Sequence, residues 1–327
     1  MRLRKTVAAS ALIGAVAVAN PGALAAANPP ESDDPIVVAK NNWTSQLVQA
    51  HVVGQLFKRM GYNVEYKPAD MQAQFTAMGL GDLHVQTEVW EGTAKTAFMK
   101  QVDAGKVIDA GTHEASTREE WWYPTYVEEV CPGLPDWKAI NECAEKLATP
   151  GTYPKARYLG GPADWEKNDE ERVEALDMKV EVVHAGSSSA LWSELKSAYQ
   201  RKEPIIMFNW SPNWVHAEYE GKYVDFPEFH PKCQTDASWG MNPDKKYDCG
   251  NPKGAWLKKA VWAGMKDKWP CAFETMNNYN ANNQQIAQMA ALVVTEDIEA
   301  KEAASRWLSD NADLAEKWIP NSCQTSS

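Results

Sequence analysis

The chain is short of phenylalanine, of cations and of long apolar runs, and each shortage excludes something. Seven Phe stand against fifteen Trp in 327 residues, so the aromatic content is not the generic bulk of a core. Lys and Arg number 33 against 44 Asp and Glu, a formal charge of −11. That balance argues against nucleic acid or an anionic membrane surface as partner. No C-x-x-C and no Cys/His cluster is present, which speaks against zinc. No G-x-S-x-G elbow and no H-E-x-x-H helix is present, which leaves little for a secreted hydrolase. His184 ahead of Gly186-Ser187-Ser188-Ser189 is better read as part of a serine-capped helix start than as a nucleophile and base. After the N-terminal segment no stretch reaches the roughly 20 apolar residues of a spanning helix. Internal repeats and low-complexity segments are also absent.

What is present begins with an export signal. Arg2, Arg4 and Lys5 precede an uncharged apolar run, Thr6 to Ala19. Asn20-Pro21-Gly22 breaks that run and Ala23-Leu24-Ala25 offers small residues for cleavage, so residues 1–25 read as a secretory signal peptide. Its removal makes the net charge three units more negative and places the protein in the periplasm. Six cysteines in an exported chain favour disulfides. Pairing neighbours in sequence is the simplest arrangement: Cys131 with Cys143, Cys233 with Cys249, Cys271 with Cys323. Other connectivities stay open.

The remaining residues, about 300, exceed one ordinary core and suggest two lobes. Strand–helix alternation from Ile36 to Ala104 is the pattern of a parallel sheet, whose ligands bind beyond the carboxyl ends of the strands. Strands are expected at 36–39, 63–66 and 82–89, with helices at 43–60, 70–79 and 93–104. The second half suggests strands at 121–127, 179–184 and 204–210 and a loop over 151–162. Helices are expected at 137–147, 186–201, 254–265, 283–292 and 298–310. The fold class is therefore α/β.

Tryptophan supplies the best π face for a cation and one N–H donor. Trp43, Trp90, Trp165 and Trp210 sit at strand ends or in loops, where binding groups concentrate. Together they suit a methylated ammonium, whose charge is spread over methyl groups that make no strong hydrogen bonds. Trp122, Tyr123 and Trp214 are further candidates. Trp192, Trp256, Trp262, Trp307 and Trp318 fall at apolar spacing on expected helices and read as core. Glu88, beside Trp90, is a candidate acid near the cage. Sugars also stack on Trp, but a sugar site needs more amide and charged groups than these segments offer. Asp236, Asn242, Asp244 and Asp248 could ligate a structural Ca²⁺. Their spacing is not that of an EF-hand, and a solvated acidic loop is the alternative. No other cofactor is required.

Three motifs in order carry a family resemblance: G-D-L-H-V-Q-T-E-V-W-E, then G-T-H-E with W-W-Y-P-T-Y-V, then P-I-I-M-F-N-W-S-P-N-W-V ending at Val215. They resemble the periplasmic substrate-binding proteins for glycine betaine and related osmolytes, and the resemblance runs over nearly the whole mature chain. It implies a two-lobed, type II-like binding-protein fold with a hinge, a small methylated amine between the lobes, and delivery to the membrane subunits of an ABC importer. It also implies a monomer without catalytic residues. By position the box would be Trp90 from lobe 1 (36–115 plus 222–323) and Trp165 and Trp210 from lobe 2 (116–221), with Trp43 as a fourth wall. Some relatives carry a His four residues after the first-lobe Trp to grip a carboxylate. Here that residue is Ala94. The pattern is most similar to trimethylamine N-oxide binders, with glycine betaine and choline as alternatives.

Overall fold

The computed structural model describes residues 29–324, so residues 1–25, read above as a signal peptide, lie outside the described residues. In the first half, strands β1 (Ile36–Lys40), β2 (Val64–Pro68) and β3 (Val85–Trp90) alternate with helices α1 (Thr44–Arg59), α2 (Ala73–Leu80) and α3 (Glu91–Asp103). β1 pairs in parallel with both β2 and β3. All six residues of β3 are buried, as expected for a strand covered on both faces.

The second half contributes β4 (Val107–Pro124), β5 (Ala156–Gly160), β6 (Val180–His184), β7 (Ile206–Ser211), β8 (Gly221–Tyr223) and β9 (Lys253–Trp262). The sheet order is β2-β1-β3-β9-β4-β7-β5-β6, with β8 on β4. Two parallel blocks, β2-β1-β3 and β7-β5-β6, are thus joined through β9 and β4, which run antiparallel to each other and to their outer neighbours. This is a mixed α/β, two-lobed architecture with β4 common to both lobes. Helices Pro270–Asn278, Asn283–Glu296, Ala300–Asp310 and Ala312–Trp318 complete the chain. Among the described residues no helix is long and apolar enough to cross a membrane. Cys131 is bonded to Cys143, Cys233 to Cys249 and Cys271 to Cys323.

Three expectations are corrected. The helix expected at 254–265 is strand β9. Its inward positions are Ala255, Leu257, Lys259 and Val261, and the lysine in that row hides the two-residue alternation. Lys259 tolerates burial because its ammonium donates to the carbonyls of Met276, Asn277 and Tyr279, at the end of helix Pro270–Asn278. Trp256 and Trp262 therefore stand half-buried on a strand rather than in a helical core. Second, β4 starts at Val107, not at Trp121. Its buried positions include His113, Thr117, Glu119 and Glu120, so no apolar rhythm marks it. Third, the 151–162 loop contains β5, a strand too short to stand out among its Gly and Pro neighbours.

Candidate functional site

Each carboxyl end of the inner parallel strands delivers a tryptophan to one place. β1 leads through Asn41 and Asn42 into Trp43, which precedes the first turn of α1. β3 ends in Trp90 and β7 carries Trp210 next to its last residue. β5 leads through Gly161 and Pro162 into the short turn Ala163–Trp165. A Cβ on Gly161 would lie 2.6 Å from the Trp165 ring, so only glycine lets the backbone pass that close.

The four indoles, with Met71, Thr93, Glu119 and Phe208, line one small cavity. Its wall is almost wholly apolar. Trp165 is the central wall, packed edge-on against Trp43 at 5.9 Å, Trp210 at 5.5 Å and Phe208 at 5.7 Å between ring centroids. Trp192 backs Trp210 at 4.9 Å from outside the cavity.

Hydrogen bonds fix the ring planes. Glu88 Oε2 accepts from Trp43 Nε1 at 2.5 Å and from Trp90 Nε1 at 3.0 Å. Ser45 Oγ donates to the same oxygen at 3.1 Å, and Gln49 Nε2 donates to Oε1. Glu88 is therefore not a wall of the cavity, as a ligand-facing acid would be, but lies behind two walls. Trp165 Nε1 donates to Asn42 Oδ1 at 3.0 Å, and Ser188 Oγ donates to Asn42 O at 3.0 Å. These bonds tie the first-lobe strand end to the second lobe.

The acid in the wall is Glu119. It pairs with Lys167 at 3.1 Å, both side chains nearly out of water, and accepts from the Thr93 hydroxyl. Lys167 also donates to Thr93 Oγ1 at 2.9 Å. A Cβ on Gly92 would sit 2.4 Å from Glu119 Oε2, so the start of α3 must be glycine for the acid to approach it. Glu119, Thr93, Met71, Phe208 and Lys167 were not among the sequence candidates. The one signal was Glu119 itself, in the E-E-W-W run, and nothing in that run says which of two adjacent acids faces the cavity.

Three other candidates lie elsewhere. Trp122 and Tyr123 are fully buried in β4, Trp122 against Gly221 and His216, and Tyr123 with its hydroxyl donating to Glu128 at 2.9 Å. Trp214 packs on Trp192 and Tyr219, one layer behind the cavity. Aromatic clustering in sequence brought them forward; the fold buries them in packing away from the cavity. The four residues of the acidic loop are not gathered either. Asp236 accepts from Ser238, Asn242 Oδ1 accepts from Asp244 N, and the buried Asp248 accepts from Asn242 N at 2.7 Å. These bonds lie within the loop, and Asn242 Nδ2 also donates to Ala175 O at 3.0 Å. Among the described residues no group of three or more His, Cys, Asp or Glu could hold a metal ion.

Burial raises Glu88 from 4.5 to about 7, against the four donor bonds that lower it. A carboxyl whose folded value is raised contributes stability that is full below its ordinary value and lost as pH rises through the folded one. The window here is pH 4.5 to 7, and the loss is about 3 kcal/mol. Urea unfolding of the wild type and of Glu88→Gln across that window should show the difference between them changing by this amount. A difference independent of pH would refute the assignment.

The substrate binding domain of the ABC-type glycine betaine transport system matches residues 34–310. The chain is 38% identical over 300 residues to a trimethylamine N-oxide-binding protein of Pelagibacter ubique (strain HTCC1062), covering 90% of this chain and 92% of that one. Its fold is similar to the glycine betaine, L-proline ABC transporter binding protein of Borrelia burgdorferi, with a TM-score of 0.71 and 17% identity over 89% of this chain and 98% of that one. It is also similar to a lactococcal binding protein closed on glycine betaine, with a TM-score of 0.68 and 19% identity over 88% and 100% of the two chains.

Proposed function

The chain belongs to the family of substrate-binding domains of ABC-type glycine betaine transport systems, and from that premise we propose that it captures trimethylamine N-oxide between Trp43, Trp90, Trp165 and Trp210 for an ABC importer. Members of this family bind solutes and are not enzymes. The observation that carries the choice of ligand is the cavity wall: four indoles, one acid already paired with Lys167 and, among the described residues, no Lys, Arg or His. Indole faces attract a methylated nitrogen at roughly 0.5–2 kcal/mol each. Four of them, with apolar burial added, reach the roughly −8 kcal/mol of micromolar binding.

The second half of the ligand discriminates. A carboxylate, as in glycine betaine, would meet Glu119 without a cation in the wall to hold it. An N-oxide needs only a donor, and the Thr93 hydroxyl can turn from Glu119 to supply one. Lys167 balances Glu119, so the acid in the wall is already paired and leaves a zwitterion no uncompensated charge to meet there. Choline is the second reading, since Glu119 could accept from its hydroxyl. Isothermal titration with trimethylamine N-oxide, glycine betaine, choline and a disaccharide tests this. The N-oxide is expected to bind tightest. Tighter binding of choline or glycine betaine would overturn the ligand, and binding of the disaccharide alone would overturn the methylamine reading.

Lobe 1 is taken as residues 36–115 plus 222–323 and lobe 2 as 116–221, crossing near Ala115 on β4 and near Gly221. The segment Arg2 to Ala25 would export the chain to the periplasm. There it would act as a monomer and dock on the importer's membrane subunits.

A further inference from the structure

Two walls of the cavity hang on one carboxylate oxygen. Trp43 comes from the start of α1 and Trp90 from the end of β3, and nothing in the backbone joins them at that level. Glu88 Oε2 joins them, accepting both indole N–H groups and the Ser45 hydroxyl. Its other oxygen accepts from Gln49 Nε2, and the amide is held in that orientation because Gln49 Oε1 accepts from the Tyr279 hydroxyl at 2.7 Å. Tyr279 in turn is anchored through its carbonyl by Lys259. The groups facing the carboxylate are Trp43, Ser45 and Gln49 from α1, and Trp90 and the Gln86 amide, which accepts from Glu88 N, from β3. Tyr279 lies behind Gln49, and among the described residues no charged side chain pairs with Glu88.

Every side-chain partner of the carboxylate is a donor. Adding a proton to Glu88 puts a fifth donor where four already point, and one of them must turn away. The shared oxygen is the crowded one: a proton there, even with Ser45 turned to accept it, leaves that oxygen too few lone pairs for both indole N–H groups, and the walls lose their common anchor. We propose that Glu88 is a positioning residue that sets the angle between the Trp43 and Trp90 walls in its ionised form, so that ligand capture is coupled to loss of the Glu88 proton. The fold resists that ionisation by burying the group, and a cation between the indoles favours it. Capture should therefore strengthen as pH rises through about 7, the value to which burial brings Glu88. The affinity part of this inference rests on the capture reading above; the indole part does not.

The test uses the full mature chain. In ligand-free protein labelled with ¹⁵N-tryptophan, the indole N–H resonances of Trp43 and Trp90, assigned from Trp43→Phe and Trp90→Phe spectra, should titrate together between pH 5.5 and 8.5. Glu88→Gln should abolish that titration. With trimethylamine N-oxide as probe, wild-type affinity should fall about tenfold from pH 7.5 to pH 6. Glu88→Gln should bind more weakly with no pH dependence in this range. Its amide meets the Gln49 amide donor to donor, so Glu88→Gln combined with Gln49→Glu should recover most of the lost affinity. There the new residue at 49 accepts from both Tyr279 and the amide at 88. Thermal melts of each variant establish that it is folded. Indole resonances that do not titrate, or a Glu88→Gln variant with wild-type affinity and pH profile, overturn the proposal. Coupled indole titration in a protein that binds no methylated amine supports the positioning role and overturns the capture reading instead.

Discussion

Trp307→Ala is expected to remove about 3–5 kcal/mol of folding stability and leave ligand affinity unchanged, whereas Trp165→Ala should weaken binding by about 1–3 kcal/mol. The two residues are equally buried, so exposure does not separate them. Their neighbours do. Trp307 lies on helix Ala300–Asp310, which packs on α1, and its ring stacks in parallel on Trp318 at 5.9 Å. Truncating it leaves a cavity that two helices cannot close. Trp165 stands between Trp43, Trp210 and Phe208 and forms part of the cavity wall. Truncating it widens a space that the ligand is meant to fill and removes one cation–π face. Titration calorimetry with trimethylamine N-oxide and urea unfolding on both variants separate the effects. Equal losses of affinity in the two variants would mean that the division into wall and core is wrong.

That division was partly legible in the sequence. Trp43, Trp90 and Trp210 each follow a short β-branched or apolar run, so a strand end could be placed within a residue or two. Strand ends are where a parallel sheet exposes its sites. Trp165 could be separated from the core set because it sits in a Gly/Pro-rich connection. What could not be read is which face of a strand a side chain takes when polar groups occupy the buried positions. β4 buries His113, Thr117, Glu119 and Glu120, and the partners of His113, Glu119 and Glu120 come from distant parts of the chain. Without an apolar alternation, Glu119 in the wall could not be told from Glu120 on the opposite face. Trp122 and Tyr123 were drawn toward the site for the same reason. Lys259 hid β9 similarly, since a buried lysine is tolerated only where three carbonyls converge. Glu88 was visible as an acid beside Trp90, but its orientation away from the cavity follows from the indole N–H of Trp43, 45 residues earlier.

Arg172→Ala is expected to lower folding stability by about 3–5 kcal/mol, because it leaves two buried carboxylates without their cation. Arg172 Nη1 donates to Glu120 Oε1 at 2.7 Å and lies 3.9 Å from Asp169 Oδ1, with all three side chains nearly excluded from water. Glu120 Oε2 meanwhile accepts the backbone N–H of Asn251 at 2.7 Å. One acid thus fastens β4 both to helix Asp169–Ala175 and to the segment leading into β9. Burial already raises Asp169 above the ordinary carboxylate range, with Arg172 opposing it. Without the arginine that opposition disappears, and the folded protein should take up protons more readily. The deficit of Arg172→Ala relative to wild type should therefore shrink as pH falls and the acids neutralise. Arg172→Met with Glu120→Gln and Asp169→Asn should regain most of the stability, since the charges leave together. If Arg172→Ala unfolds in urea like the wild type at neutral pH, the cluster is not an ion pair sealed from water. Because Glu119 and Glu120 are consecutive on β4, the same strand position that anchors the second lobe through Arg172 holds the acid in the cavity wall. Loosening the first should therefore weaken ligand capture as well as stability.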